Sequence, residues 1–210
     1  MPTTLLLVRH GQTDANAKQV FQGRMGVGLN DVGRDEARRL GARLRGRGIA
    51  RIVASDQERA VETATLLRGA LEPAPPLELD PALREVDVGA WSGLDYAQVE
   101  AKFPDEWAAW LAGRDVRRGG GETYGELGER IHAALARVAE SSAGKTTLVV
   151  THGAALRSFT CVVLGLVPPG PKSLGGATNC GLTTVVWEAG SFRLVSWNEP
   201  VPAADEGARR

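Results

Sequence analysis

Thr4-Leu5-Leu6-Leu7-Val8-Arg9-His10-Gly11-Gln12-Thr13 contains four unbroken apolar residues, Leu5 to Val8. Such a run reads as a strand buried on both faces, as in the interior of a parallel sheet. It stops at Arg9-His10-Gly11, so a cation and an imidazole leave the carboxyl end of a core strand where a glycine lets the chain turn. In open α/β sheets, ligands bind at that edge. The pattern recurs at Thr146–Val150 followed by Thr151-His152-Gly153, so two of the three histidines directly follow buried strands.

Outward from this stretch, strands and helices alternate. Residues 14–30 are rich in Gly, Asn and Gln, show no period and predict a loop that includes Asn16, Gln22, Gly23 and Arg24. A helix is predicted from Asn30 or Asp31 to about Arg45, with Ala37, Leu40, Gly41 and Leu44 at amphipathic spacing. Ile49–Ala54 predicts a second strand and Ser55-Asp56 a helix cap. The helix over about 57–71 carries Arg59 in its first turn and Ala60, Ala64, Leu67 and Leu71 inward. Leu77-Glu78-Leu79 predicts a third strand, followed by a glycine-punctuated acidic loop over 83–93. Residues 95–112 read as one or two short helices separated at Pro104, with Phe103, Trp107, Trp110 and Leu111 as their apolar face. After an Arg117–Gly121 loop, a helix over about 123–141 carries a stripe of Leu127, Ile131, Ala134, Leu135 and Val138. The fourth strand at 146–150 leads into a helix over about 154–164. Leu182–Trp187 and Phe192–Trp197 read as a hairpin turning at Ala189-Gly190.

This alternation predicts an α/β fold, a three-layer α/β/α sandwich around a mostly parallel sheet, with the hairpin as an antiparallel edge. No linker or repeat divides the chain. Residues 1–200 are expected to form one domain and 201–210 a disordered tail.

Composition narrows the function. Formal net charge is zero, which argues against nucleic acid as a partner but leaves room for a small anion held by a few focused cations. No apolar run approaches a membrane span, and Cys161 and Cys180 are too few and too far apart for a disulfide framework or a zinc motif. The expectation is a cytoplasmic protein that uses neither membrane nor nucleic acid, whose terminal edge strand leaves a homodimer open.

Arg9, His10, Arg59 and His152 each follow a strand and so converge on one sheet edge. Two guanidiniums suit a phosphate dianion, whose oxygens they bind in pairs. One imidazole there could attack phosphorus, and the other could hydrogen-bond the equatorial oxygens. A carboxylic acid would protonate the departing alkoxide; Glu85 is the best placed, with Asp87 and Glu122 as neighbours in sequence.

Leu7-Val8-Arg9-His10-Gly11-Gln12-Thr13 with Asn16 resembles the signature of the histidine phosphatase superfamily, the phosphoglycerate mutase-like group. Ser55–Ala64 looks like that family's second-arginine helix, Leu83–Gly93 like its acid loop, Thr151-His152-Gly153 like its second-histidine turn, and Asn179-Cys180 like a segment near its C-terminus. The resemblance implies a phosphoglycerate mutase-like fold and metal-free chemistry with no cofactor. His10 would be the nucleophile, Arg9, Arg59, His152 and Gly153 would hold the phosphoryl group, and Asn16 would support the pocket. Glu85 would be proton donor and then base, and Gln22 and Gly23 would line the substrate side. Ser55-Asp56 departs from the Ser-Pro of many members. Only 66 residues separate Glu85 from His152, whereas glycolytic mutases carry a longer insertion there with an Arg-Arg segment. The pattern therefore looks more like the phosphatase branch. The expected activity is hydrolysis of a small phosphomonoester, a sugar phosphate or phosphoglycerate derivative such as glucosyl-3-phosphoglycerate or a ribazole phosphate.

The alternatives are a cofactor-dependent phosphoglycerate mutase, a non-catalytic phospho-ligand-binding member of the fold, and a histidine–metal hydrolase. Arg24, Arg84, Arg117 and Arg118 read equally well as ordinary surface charge or as selectors of a second anionic group. Trp107, Trp110, Cys161 and Cys180 read as packing residues, and His132 as a helix flank.

Overall fold

The computed structural model describes residues 1–170 and 174–201. Its six-stranded sheet has the order β3-β2-β4-β1-β5-β6, formed by β1 (Thr3–Arg9), β2 (Ile49–Ala54), β3 (Leu77–Leu79), β4 (Thr146–Thr151), β5 (Leu182–Glu188) and β6 (Ser191–Glu199). The first four are parallel where they pair, and the terminal hairpin adds β5 antiparallel to β1 with β6 outside it.

The period of two along β1 divides the apolar core. Leu5 and Leu7 face one cluster with Val149, Val185, Ile131 and Phe159, while Leu6 and Val8 face another with Leu148, Val150, Leu40 and Leu67. Helices α6 (Tyr124–Glu140) and α7 (Gly153–Val163) cover the first face, and α2 (Asp31–Arg43) and α3 (Glu58–Gly69) cover the second. This is the expected three-layer sandwich. Each of these β1 side chains is fully buried, a gain of roughly 1.5–3 kcal/mol apiece.

Several local expectations are corrected. The 14–30 segment contains a short helix, α1 (Asp14–Ala17), capped reciprocally by Thr13 and Asn16, and Val20 bridges to Asp95. Ser55-Asp56 is not the cap of α3: Gln57 is, without a side-chain cap bond. Ser55 is drawn to His152 and Asp56 to Arg84, stronger partners than an orphan helix N–H. The short helices are α4 (Tyr96–Lys102) and α5 (Pro104–Leu111), with Pro104 opening the second. Leu111, expected inward, is 49% exposed at the end of its helix. Val201 packs on the second core, and the rest of the expected tail, 202–210, lies outside the described residues. Among the described residues no helix is long and apolar enough to cross a membrane.

One close approach fixes the turn after β1. A methyl group on Gly33, in the first turn of α2, would lie 2.2 Å from the Gln12 carbonyl oxygen, and one on Gly11 would lie 2.4 Å from the Gly33 carbonyl oxygen. Gly33→Ala should therefore cost roughly 1–3 kcal/mol of stability through overpacking. Gly69→Ala, with nothing within 4 Å, should be neutral or stabilise by up to about 1 kcal/mol. Urea midpoints of the two variants check this contrast, and equal midpoints would contradict the packing.

Candidate active site

Parallel pairing of β1 with β4 sets Arg9 opposite Thr151, so the residues that follow, His10 and His152, leave adjacent strand ends. Their ring centroids are 5.2 Å apart, close to the spacing of neighbouring strands, roughly 4.8 Å. Arg59 enters from the first turn of α3, and Glu85 from the loop after β3. Arg9, His10, Asn16, Gln22, Gly23, Arg59 and Glu85 line one small cleft of about 150 Å³, together with Phe21, Arg118 and Ala154. His152 is fully buried beside His10. Gly153 packs under Arg9: a methyl there would lie 3.2 Å from Arg9 Nε. A larger cavity of about 510 Å³, lined by Arg45, Arg47 and Glu72, lies at the amino-terminal ends of β2 and β3 and contains none of these groups.

The hydrogen bonds assign the state of His10. Its Nδ1 lies 2.7 Å from the Gly11 carbonyl oxygen, which only accepts, so Nδ1 carries the proton. Its Nε2 keeps a lone pair and accepts from Arg59 Nε at 3.2 Å. Burial first, and then the charges of Arg59 and Arg9, hold His10 well below the ordinary imidazole value. His152 is lowered in the same way by burial, Arg59, His10 and Arg9. Its Nε2 lies 2.8 Å from Ser55 Oγ, and its buried Nδ1 has no partner among the described residues.

Of the two site arginines, Arg59 is buried and Arg9 half-buried. Arg9 donates from Nη1 to Ala177 O at 2.7 Å, and its buried Nε has no partner among the described residues. Arg59 donates to the carbonyls of Met25 and Gly23, each at 2.8 Å. Burial lowers the Arg59 pKa to about 10, with Glu85 acting in the opposite sense, so it stays charged at neutral pH.

Glu85 sits at the amino end of α7. Its oxygens accept from Ala154 N and Ala155 N, both at 3.1 Å, and from Val86 N at 2.9 Å. The competing carboxylates are engaged elsewhere. Asp87 accepts from Gly89 N and pairs with Arg24, while Glu122 takes a two-pronged bond from Arg130; neither lines the cleft. Arg84 and Arg117 are paired with Asp56 and Glu126, whereas Arg118 is buried in the cleft wall.

Several supporting residues escaped the sequence reading. Gln57 joins the two sides of the cleft, donating to Gly23 O at 3.1 Å and accepting from Glu85 N at 2.7 Å. Thr63 accepts from Gly11 N, and Glu36 accepts from Gln12 N, so both hold the turn after His10. Arg130 donates to the carbonyls of Ala82 and Arg84 and so pins the acid loop. Ser55-x-Gln57 at a strand end was the one available signal; Arg130 sits on a polar helix flank like many solvated arginines. Asn179 donates to His10 O at 2.9 Å and lies 3.4 Å from Asn16 Oδ1.

A neutral imidazole set against two guanidiniums, one buried and one half-buried, is the arrangement that marks the histidine phosphatase class. The chain belongs to the histidine phosphatase superfamily (branch 1), whose family model matches residues 5–200. The solved structure of Bacillus stearothermophilus YhfR has a TM-score of 0.88 to this chain at 28% identity, covering 94% of this chain and 97% of that one. The mycobacterial glucosyl-3-phosphoglycerate phosphatase Rv2419c has a TM-score of 0.83 at 28% identity, covering 95% and 100%. A Salmonella paratyphi B protein named "Probable phosphoglycerate mutase GpmB" is 33% identical over 195 residues, 91% of this chain and 88% of that protein. The Mycobacterium tuberculosis "Bifunctional protein Rv2228c" is 37% identical over 152 residues, 72% of this chain. The match spans only 41% of that longer protein's length, as it does for two further mycobacterial relatives.

The depressed imidazoles give a pH signature. The folded chain keeps His10 and His152 neutral, while the unfolded chain protonates them near pH 6.5. This contribution to stability is complete above that pH and is lost as pH falls below it, by up to about 1.4 kcal/mol per pH unit for each imidazole. Unfolding free energy from urea titrations should therefore fall from pH 7 to pH 5. His10→Asn should make the slope shallower, and an unchanged slope would mean that His10 is protonated in the folded state.

Proposed function

We propose that the chain hydrolyses small phosphomonoesters through a phosphohistidine on His10, without a metal. The observation that carries this reading is the lone pair of His10 Nε2 held in a cleft between Arg59, Arg9 and the Glu85 carboxyl group. The substrate phosphoryl group lies against the guanidiniums, whose charge takes the place of a metal ion. His10 Nε2 attacks phosphorus in line, the N–P bond forms, and the P–O bond to the leaving group breaks. Glu85 gives its proton to the departing alkoxide. In the second half, Glu85 takes a proton from water as its oxygen attacks phosphorus, and the N–P bond breaks to release phosphate. The unpartnered Nδ1 of His152 and Nε of Arg9 are available to the equatorial oxygens. Asn16 supports the pocket, Gly153 gives Arg9 clearance, and Gln22 and Gly23 line the substrate side.

The small cleft and the match to a glucosyl-3-phosphoglycerate phosphatase support a sugar phosphate or phosphoglycerate derivative as substrate. Two free, buried cysteines are compatible with the cytoplasm as the site of action. The relatives named as mutases favour a second reading, isomerisation of 3-phosphoglycerate dependent on its bisphosphate. Bisphosphate-stimulated formation of 2-phosphoglycerate without net phosphate release would establish it in place of hydrolysis.

Release of phosphate from p-nitrophenyl phosphate should be insensitive to EDTA and abolished in His10→Ala. Persistence of turnover in that variant would sink the mechanism. Glu85→Gln should lower kcat on alkyl phosphates by roughly 10²- to 10⁴-fold. On p-nitrophenyl phosphate, whose leaving group needs little protonation, the loss should be smaller. Equal losses on both would remove Glu85 from the role of acid.

A further inference from the structure

The side chain of Asn198 makes three hydrogen bonds to the loop that precedes β5. Asn198 stands on β6, the outermost strand, and does not line the cleft. Leu182 pairs with Glu199 and Thr184 with Ser196, so the single residue Thr183 faces both Trp197 and Asn198. Such a β-bulge re-aims a side chain. Asn198 takes a left-handed backbone there, φ +50°, a conformation that asparagine tolerates better than most residues. Its backbone N–H donates to Thr183 Oγ1 at 3.0 Å.

The amide turned in this way grips the chain on both sides of Ala177. Asn198 Oδ1 accepts from Thr178 N at 2.8 Å and from Thr178 Oγ1 at 3.0 Å, and Nδ2 donates to Gly176 O at 3.2 Å. In an extended chain, the carbonyl of one residue and the N–H two residues on point to the same side. The residue between them turns its own carbonyl the other way. Ala177 follows that pattern, and its carbonyl oxygen receives Arg9 Nη1 at 2.7 Å. Cys180 N donates to Arg9 O at 2.9 Å, so the same loop also holds the Arg9 backbone. A methyl group on Gly181 would lie 2.2 Å from Asn198 Oδ1, so the amide is closely seated.

We propose that Asn198 is a positioning residue for Arg9, acting through the 176–178 segment that it clamps against the guanidinium. This rests on the cleft being the phosphomonoesterase site, with Arg9 among the groups that hold the phosphoryl oxygens. Charge stabilisation of that kind depends on where the guanidinium stands. A loosened Ala177 carbonyl therefore slows the reaction with every group in the cleft unchanged.

The test is a double-mutant cycle on kcat/KM for phosphate release from p-nitrophenyl phosphate. Asn198→Gly keeps the left-handed backbone and removes the amide. It should lower kcat/KM about tenfold in the wild-type background. In an Arg9→Lys background, where the fork that meets Ala177 is gone, the same change should cost about twofold or less. Partial misfolding lowers activity by the same factor in both backgrounds. Asn198→Asp, which keeps the acceptor for Thr178, should recover part of the loss. Equal losses in the two backgrounds, no loss in Asn198→Gly, or no recovery in Asn198→Asp overturns the proposal and leaves the reading of the site standing. A wild type that releases no phosphate from p-nitrophenyl phosphate or from 3-phosphoglycerate overturns that reading and the proposal with it.

Discussion

The parallel pairing of β1 with β4 is the constraint on which the rest of the structure depends. Their register runs from Thr4 opposite Thr146 to Arg9 opposite Thr151, so both strands end at the same height. Two imidazoles then emerge side by side, and β2 on the far side of β4 delivers the helix that carries Arg59. A slip of one residue would turn Leu5 and Leu7 toward the wrong helical layer, so the core that stabilises the sheet also fixes the site. The burial that holds the strands together and the alignment of the catalytic edge are the same event.

Placing two guanidiniums beside two imidazoles out of water is unfavourable on its own. The structure offsets it with backbone dipoles more than with counter-ions. Carbonyls of Gly23, Met25 and Ala177 receive the arginine N–H groups, and the Glu85 carboxyl group acts on Arg59 in the sense opposite to burial. What remains is an excess of positive charge with nitrogens unpartnered among the described residues, Arg9 Nε and His152 Nδ1 among them. In the proposed reaction a phosphate dianion would complete that arrangement with little reorganisation, the condition under which fixed dipoles and charges favour a transition state most. Burial first, and then these charges, hold His10 below the ordinary imidazole value, so its Nε2 keeps a lone pair.

Much of this was legible in the sequence, for identifiable reasons. The buried strands showed as unbroken Leu and Val runs, and α2, α3 and α6 as stripes at helical spacing, because each must cover a sheet face. The carboxyl-edge position of Arg9, His10, Arg59 and His152 followed from each lying just past a strand. Strand order did not, since nothing local in 146–150 says that it inserts between β1 and β2. Helix α1 was missed because it is held by the Thr13–Asn16 side-chain exchange and has no apolar stripe to bury. Ser55 was misread because a hydroxyl near a helix start resembles a cap until the neighbouring strand brings His152 to it. Arg130 was invisible for the same reason, and Gln57 showed only as Ser55-x-Gln57 at a strand end: their partners lie tens of residues away.

The acid loop and the arginine loop are best regarded as one element. A methyl group on Gly89 would lie 2.0 Å from Gly119 O, so the segment after Glu85 and the segment around Arg118 meet backbone to backbone. Glu122 N donates to Asp87 O across the same seam, and Glu122 in turn holds Arg130, which grips the carbonyls of Ala82 and Arg84. A displacement of either loop therefore moves the other. Glu85 and Arg118, which line the same cleft, are positioned by a single piece of backbone. Only glycine at Gly89, Gly119 and Gly121 permits that contact, so Gly119 and Gly121 form a packing surface for the acid loop and not a flexible spacer.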